Sequence, residues 1–254
     1  MNRGLIFGII AMAAVVVASN ILVQFLMGNW LTWGAFTYPF AFLITDLTNR
    51  LYGANQARKV VFVGFCVGVL CSFIGTQIIG EFGPLVTLRI AIGSGFAFLI
   101  AQLIDIVIFD KLRKSKWWQA PLTSTLVGSS IDTALFFTIA FSVSLSSLEP
   151  SNDVAWANEI LPLIGLGPLL PLWVSLGLAD WLVKVSLALI ALVPLKSTRL
   201  NSSHAFQSRM PSSAFKKKLF LFFFSFSFFF LFFFFSSFFS LFLLSSLFFS
   251  FFPF

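Results

Sequence analysis

The sequence predicts an all-α membrane protein, a polytopic bundle of six transmembrane helices with both termini cytoplasmic. Three observations predict it. The 254 residues are 59% hydrophobic and 10% charged, with a mean hydropathy of +0.99, whereas a soluble domain carries about a quarter charged residues. Apolar runs long enough to cross a bilayer, about 20 residues each, recur along the chain. Lys and Arg gather in alternate turns between those runs, which is how the positive-inside bias is written in a sequence.

The first span is read at residues 5–27, behind Arg3. A cleaved leader ending near Val16, Val17 and Ala18 is the alternative, but the apolar run continues past Ala18 to full spanning length. Asn20 and Gln24 lie four apart, hence on one helical face, where they can bond between helices or meet a ligand. Residues 28–37 are uncharged and rich in Gly and aromatics, and read as an outer turn or a short broken helix. Trp30, Trp33, Phe36 and Tyr38 either stack on a flat ligand or form an aromatic belt.

The second span, residues 34–52, carries Pro39, with Asp46 and Asn49 on one face. Arg50, Arg58 and Lys59 place its end in the cytoplasm. The third, residues 60–79, spaces Gly64, Gly68, Ser72 and Gly75 for close helix approach, and Glu81 marks the outer turn after it. The fourth, residues 86–109, sets Ser94, Phe98, Gln102 and Asp105 along one stripe. Lys111, Arg113, Lys114 and Lys116 then form an inner loop, followed by interfacial Trp117 and Trp118. The fifth span, residues 121–144, presents Ser124, Gly128 and Asp132 at four-residue steps. Residues 145–166 carry Glu149, Asp153 and Glu159 without a cation, so they form an outer loop in which a short surface helix is allowed. The sixth, residues 168–195, holds Asp180 and Lys184, an i,i+4 pair that can neutralise itself inside the membrane. Lys196 closes it.

The net charge of +7 does not mark a nucleic-acid partner. Residues 1–196 carry eleven Lys/Arg against nine Asp/Glu, and the remaining five cations lie in the tail. Cys66 and Cys71 lack the CxxC spacing of a redox or metal pair and are read as packing residues. The single histidine, His204, is also in the tail, so no His-based metal or catalytic site and no cofactor is expected in the body. A GxxxxGK[ST] phosphate loop is missing from the body, so the chain does not hydrolyse nucleotide itself.

Four segments then carry a resemblance: VASNILVQF, TWGAFTYPFAFLITDLTNRLYG, AQLIDIVIFDKLRKSKWWQAPLTSTLVGSSIDTALFF and LADWLVKVSLALIALVP. Together they resemble the queuosine precursor transporters, six-helix inner-membrane proteins of bacteria, over nearly all of residues 1–196. The resemblance implies uptake of a 7-deazaguanine, cyano or aminomethyl, to supply queuosine in tRNA. The chemistry is compatible, since a buried carboxylate can accept both adjacent N–H donors of a guanine-like edge. Asp132 and Asp46 are the first candidates for ligand or proton coupling, then Asp105, then Asp180 with Lys184. Asn20, Gln24, Asn49 and Gln102 offer amides, and Trp33, Phe36 or Tyr38 a stacking face. A homodimer, and a capture subunit served by a separate ATPase, stay open beside a self-sufficient carrier. An intramembrane aspartyl enzyme would need two carboxylates sharing a proton, and the aspartates fall on different helices. A purely structural membrane protein is disfavoured by the polar groups in five of the spans.

From residue 216 to 254 only Lys, Leu, Phe, Ser and Pro occur, as a translated T-rich tract would give. The preceding STRLNSSHAFQSRMPSSA resembles translated adapter. Residues 197–254 are therefore expected to be a sequencing or assembly artefact, with a seventh span as the competing reading.

Overall fold

The computed structural model describes residues 3–80 and 83–205, with side-chain surroundings within 4–190. The expectations for Glu81 and for the tail beyond residue 205 lie outside the described residues. Seven helices follow one another: α1 (Arg3–Leu22), α2 (Gly34–Thr37), α3 (Pro39–Tyr52), α4 (Ala54–Gln77), α5 (Leu88–Leu112), α6 (Gln119–Phe141) and α7 (Leu172–Ala205). Among the described residues, five segments are long and apolar enough to cross a membrane: Gly4–Leu22, Ala54–Gln77, Leu88–Leu112, Gln119–Phe141 and Leu172–Ile190. The molecule is thus a multi-pass helical membrane bundle.

The stretch expected as the second span is the one not among those five, and Pro39 is the reason. Proline has no N–H and clashes with the preceding turn, so the helix breaks into α2 and α3. The chain direction is kept, because Tyr38 between them has helical angles and its N–H bonds to the Gly34 carbonyl at 3.0 Å. α3 alone rises about 21 Å, too short to cross. Its end is set by Gly53 at φ 87, a left-handed angle that favours glycine.

α1 ends at Leu22, five residues before the expected boundary, and the chain turns into a hairpin of β1 (Leu26–Met27) and β2 (Leu31–Thr32). Gln24 therefore sits past the helix and does not share a helical face with Asn20. Two more antiparallel hairpins follow, β3 (Ile79–Gly80) with β4 (Gly83–Pro84) and β5 (Ile160–Pro162) with β6 (Leu169–Pro171). The connection between α6 and α7 holds this last hairpin and short 3-10 turns at Val143–Leu148 and Trp156–Asn158, in the stretch where the sequence allows a surface helix.

The core joins α1, α3, α4 and α5 through Leu5, Met12, Val15, Val16, Ile44, Val60, Val61, Phe98 and Ile106. Close approach depends on the predicted small residues. A methyl at Gly64 would come within 2.6 Å of Met12, and one at Gly75 within 2.5 Å of Val86. The opposite face of α4 presents Phe62, Leu70, Phe73 and Ile74, all more than half exposed, as a lipid-facing helix must. Cys66 shares the exposed surface and Cys71 is half-buried, both free thiols, so Cys66 is not the packing residue expected.

Arg89 takes a role that its sequence position does not disclose. It is fully buried, with Nε donating to the Ile139 carbonyl at 3.0 Å and an Nη2 donating to the Ser142 carbonyl at 2.7 Å. A cation thereby closes the negative C-terminal end of α6. The Glu149 carboxylate accepts the Arg89 backbone N–H at 2.9 Å, so an acid of the α6–α7 connection meets the positive end of α5. Arg89→Met is expected to remove about 2–3 kcal/mol, as hydrogen bonds from a charged group are lost, and thermal unfolding of the purified protein would show it.

Candidate functional site

Tyr38, Asp132, Asp180 and Lys184 come together from three elements. Tyr38 stands where α2 meets α3, Asp132 projects from α6, and Asp180 and Lys184 share a face of α7. Lys184 Nζ donates to Asp132 Oδ2 at 2.7 Å, to Asp180 Oδ2 at 2.5 Å and to Thr133 Oγ1 at 3.0 Å. An ammonium has three donors, and all three are used. The Tyr38 hydroxyl donates to Asp132 Oδ1 at 3.0 Å, and its ring centroid lies 5.2 Å from Nζ, within cation–π range. Thr133 Oγ1 donates to Asp180 Oδ2 at 2.9 Å. The predicted Asp180/Lys184 pair therefore forms, but Asp132 is a second partner. Two carboxylates share one ammonium, a local excess of one negative charge.

The two carboxylates differ in how far they are used. Both Asp132 oxygens are engaged and the residue is 3% exposed. Asp180 receives both bonds on Oδ2, and its side chain is 16% exposed. Among the described residues, Asp180 Oδ1 accepts no hydrogen bond.

These groups line a cavity of about 540 Å³, within the range of roughly 300–1,000 Å³ usual for small-ligand sites. Asn20 and Gln24 also line it, although Asn20 Nδ2 bonds back to the Val16 carbonyl at 2.9 Å. Its aromatic wall consists of Trp30, Phe136, Phe137, Phe141 and Trp156, besides Tyr38. Trp33 and Phe36, singled out as stacking residues, contact each other at 6.4 Å and are not in the lining. Phe136 and Phe137 were legible in principle, since they follow Asp132 and Thr133 by one helical turn on α6. Trp156 was not, because only the folding of the long α6–α7 connection brings it there.

Asp46, Asn49, Gln102 and Asp105 line no part of this cavity and form a second buried group. Ser124 Oγ and Thr125 Oγ1 donate to Asp46 Oδ1 and Oδ2 at 3.2 and 3.3 Å, and Asp105 interacts with Asp46. Thr45 Oγ1 donates to Gln102 Oε1 at 2.6 Å. Asn49 is structural in its bonds: its Nδ2 donates to the Ile106 carbonyl at 3.1 Å, while an Arg113 Nη2 donates to the Asn49 carbonyl at 2.7 Å. The polar stripe of α6 thus serves both groups, Ser124 facing Asp46 and Asp132 facing Lys184.

A bundle of membrane-length helices around a cavity with charged, amide and aromatic walls has the make-up of a small-molecule membrane transporter. The comparisons agree with that class. The family model described as "Putative vitamin uptake transporter" matches residues 32–197, and the chain belongs to this family of transporters, which are not enzymes. Among its relatives, the "Probable queuosine precursor transporter" of Haemophilus influenzae is 37% identical over 182 residues, covering 67% of this chain and 68% of the relative. The "Queuosine precursor transporter" of Escherichia coli (strain K12) is 34% identical over 202 residues, covering 74% and 82%. The "Probable queuosine precursor transporter" of Bacillus subtilis is 26% identical over 187 residues, covering 66% and 71%. No solved structure matches the chain.

Proposed function

We propose that this chain carries queuosine precursors, 7-cyano- or 7-aminomethyl-7-deazaguanine, across the bacterial inner membrane to supply tRNA modification. The observation that carries the reading is the cavity itself, whose lining joins aromatic side chains with Asp180, a carboxylate whose Oδ1 accepts no hydrogen bond among the described residues. A guanine-like edge offers adjacent N–H donors to such an oxygen, and a flat bicycle stacks on Trp or Phe. In this reading Asp180 takes the ligand's donors, with Lys184 and Asp132 holding it in place and Asn20 and Gln24 facing the ring's polar edge.

The same reading takes α2 and α3 together as a sixth span, 19 residues by the numbering 34–52, with both chain ends cytoplasmic. Arg50, Arg58, Lys59 and the loop from Lys111 to Lys116 support this, because they fall at one end of the bundle while the three hairpins fall at the other. The cavity's lining includes Leu26 and Leu31 of the first hairpin and Leu85 beside the second, which supports a cavity that opens toward the outer side in this reading. We read residues 197–254 as no part of the carrier, and the family match ending at residue 197 supports that division.

The test uses cells that cannot make queuosine, fed trace precursor, with queuosine measured in their tRNA. The full chain is expected to restore modification without any added ATPase subunit, and a chain ending at Lys196 to restore it equally. Good membrane expression without any modification would remove the substrate assignment.

A further inference from the structure

We propose that Asp46 and Asp105 form a second site, apart from the cavity, which binds one proton between two carboxyl groups. Asp46 is 6% exposed and Asp105 fully buried. Neither Asp105 oxygen has a hydrogen-bond partner, and the same is true of Gln102 Nε2, one turn earlier on that face of α5. Asp46 accepts the Ser124 and Thr125 hydroxyls, and Asp105 Cβ lies against Gly128, one turn from Ser124, together with Phe42, one turn before Asp46.

The cations of the neighbouring helices are placed elsewhere. Lys184 of α7 is held by Asp132 and Asp180, and Arg113, just past α5, by Asn49 and Asp110. Arg89 closes α6 at the other end of α5, and Arg50, Arg58 and Lys59 are exposed. Two carboxylates facing each other in a dry interior repel one another and lose their hydration together. One proton resolves both costs, since a carboxyl O–H then donates to the facing carboxylate. The packing favours a proton over a metal ion with its shell of ligands. A methyl added at Gly128 would already meet the Phe42 ring at 2.9 Å and Asp105 Cβ at 3.3 Å.

This site is geared to the cavity by two helices. Tyr38 bonds Asp132, and eight residues further along α3 Asp46 bonds Ser124, eight residues earlier on α6. The proton site therefore lies about 12 Å from the cavity's carboxylates along both helices. Loss or gain of its proton alters the α3–α6 contact that also positions Tyr38 over Asp132. That this couples a proton gradient to precursor movement rests on the function proposed above; proton binding itself does not.

Infrared spectroscopy of the purified full chain in lipid at neutral pH reads the proton directly, through the carbonyl stretch of a protonated carboxyl and its shift in heavy water. The band is expected in the unaltered protein and lost in the double variant Asp46→Asn/Asp105→Asn; an unchanged band in that variant overturns the proposal. Asp105→Asn alone copies the charge of the one-proton pair and serves if the double variant does not fold. In vesicles it is expected to exchange labelled precursor at equal pH but not to concentrate it against a pH gradient. Accumulation by this variant as in the unaltered chain, or accumulation driven by sodium whatever the pH, overturns the coupling role, while the infrared band decides the proton site itself. The infrared measurement involves no substrate, so a wrong substrate would show as absent exchange in the unaltered protein while the band remained.

Discussion

Lys184→Met is expected to abolish uptake and to remove about 3–5 kcal/mol of stability, the cost typical of deleting one partner of a buried ion pair. Methionine fills much of the same space but carries no donor. Asp132, 3% exposed, and Asp180 would then face each other with Thr133 and Tyr38 as their only polar partners. The loss is read from thermal unfolding of the purified protein together with uptake per folded molecule. Adding Asp132→Asn to that variant removes one of the stranded charges and is expected to return much of the stability but not the transport. If stability does not return, uncompensated charge is not what Lys184 prevents.

Asp180→Asn is expected to weaken apparent affinity for the precursor roughly thirty- to hundredfold, the equivalent of about 2–3 kcal/mol for a charge-assisted hydrogen-bond pair. Among the described residues, its oxygen Oδ1 is the carboxylate position at the cavity that the protein does not already take. Asp132→Asn acts differently, because both of that residue's oxygens hold Tyr38 and Lys184 in place. It is expected to lower stability and the amount of working transporter as well as affinity. Uptake measured against precursor concentration, with the protein quantified in the same membranes, separates the two. An Asp180→Asn protein with unaltered affinity would give the ligand-reading role back to Asp132.

The contrast between the two aspartates shows where reading along the chain stops. Asp132 ranked first because it stands on a helix among small polar residues at four-residue steps, and that face does meet polar partners. Which acid already has its cation is a different question. Lys184 is four residues from Asp180 and fifty-two from Asp132, yet it bonds both, and no local pattern announces the longer pairing. Asp46 and Asp105 pose the same difficulty. Each stood out as an intramembrane acid, but their juxtaposition depends on how α3, α5 and α6 pack.

Pro39 and the Trp pair mark a second boundary. The proline is visible in the sequence, but whether 34–52 runs as one long helix or two short ones depends on what neighbours satisfy the freed carbonyl. Trp30 and Trp33 are three residues apart in a charge-free turn of similar character, and the β1–β2 hairpin alone sends one to the cavity and leaves the other on Phe36.

What the sequence by itself determined is the membrane class and the position of nearly every spanning segment. These follow from hydrophobicity and helix length, which act locally and survive any packing arrangement. The tertiary structure decided which polar groups share a cavity and which are sealed together away from it. A buried charge takes its partner from whichever helix stands beside it, and helix neighbours are chosen by side-chain packing across the whole bundle rather than by spacing along the chain.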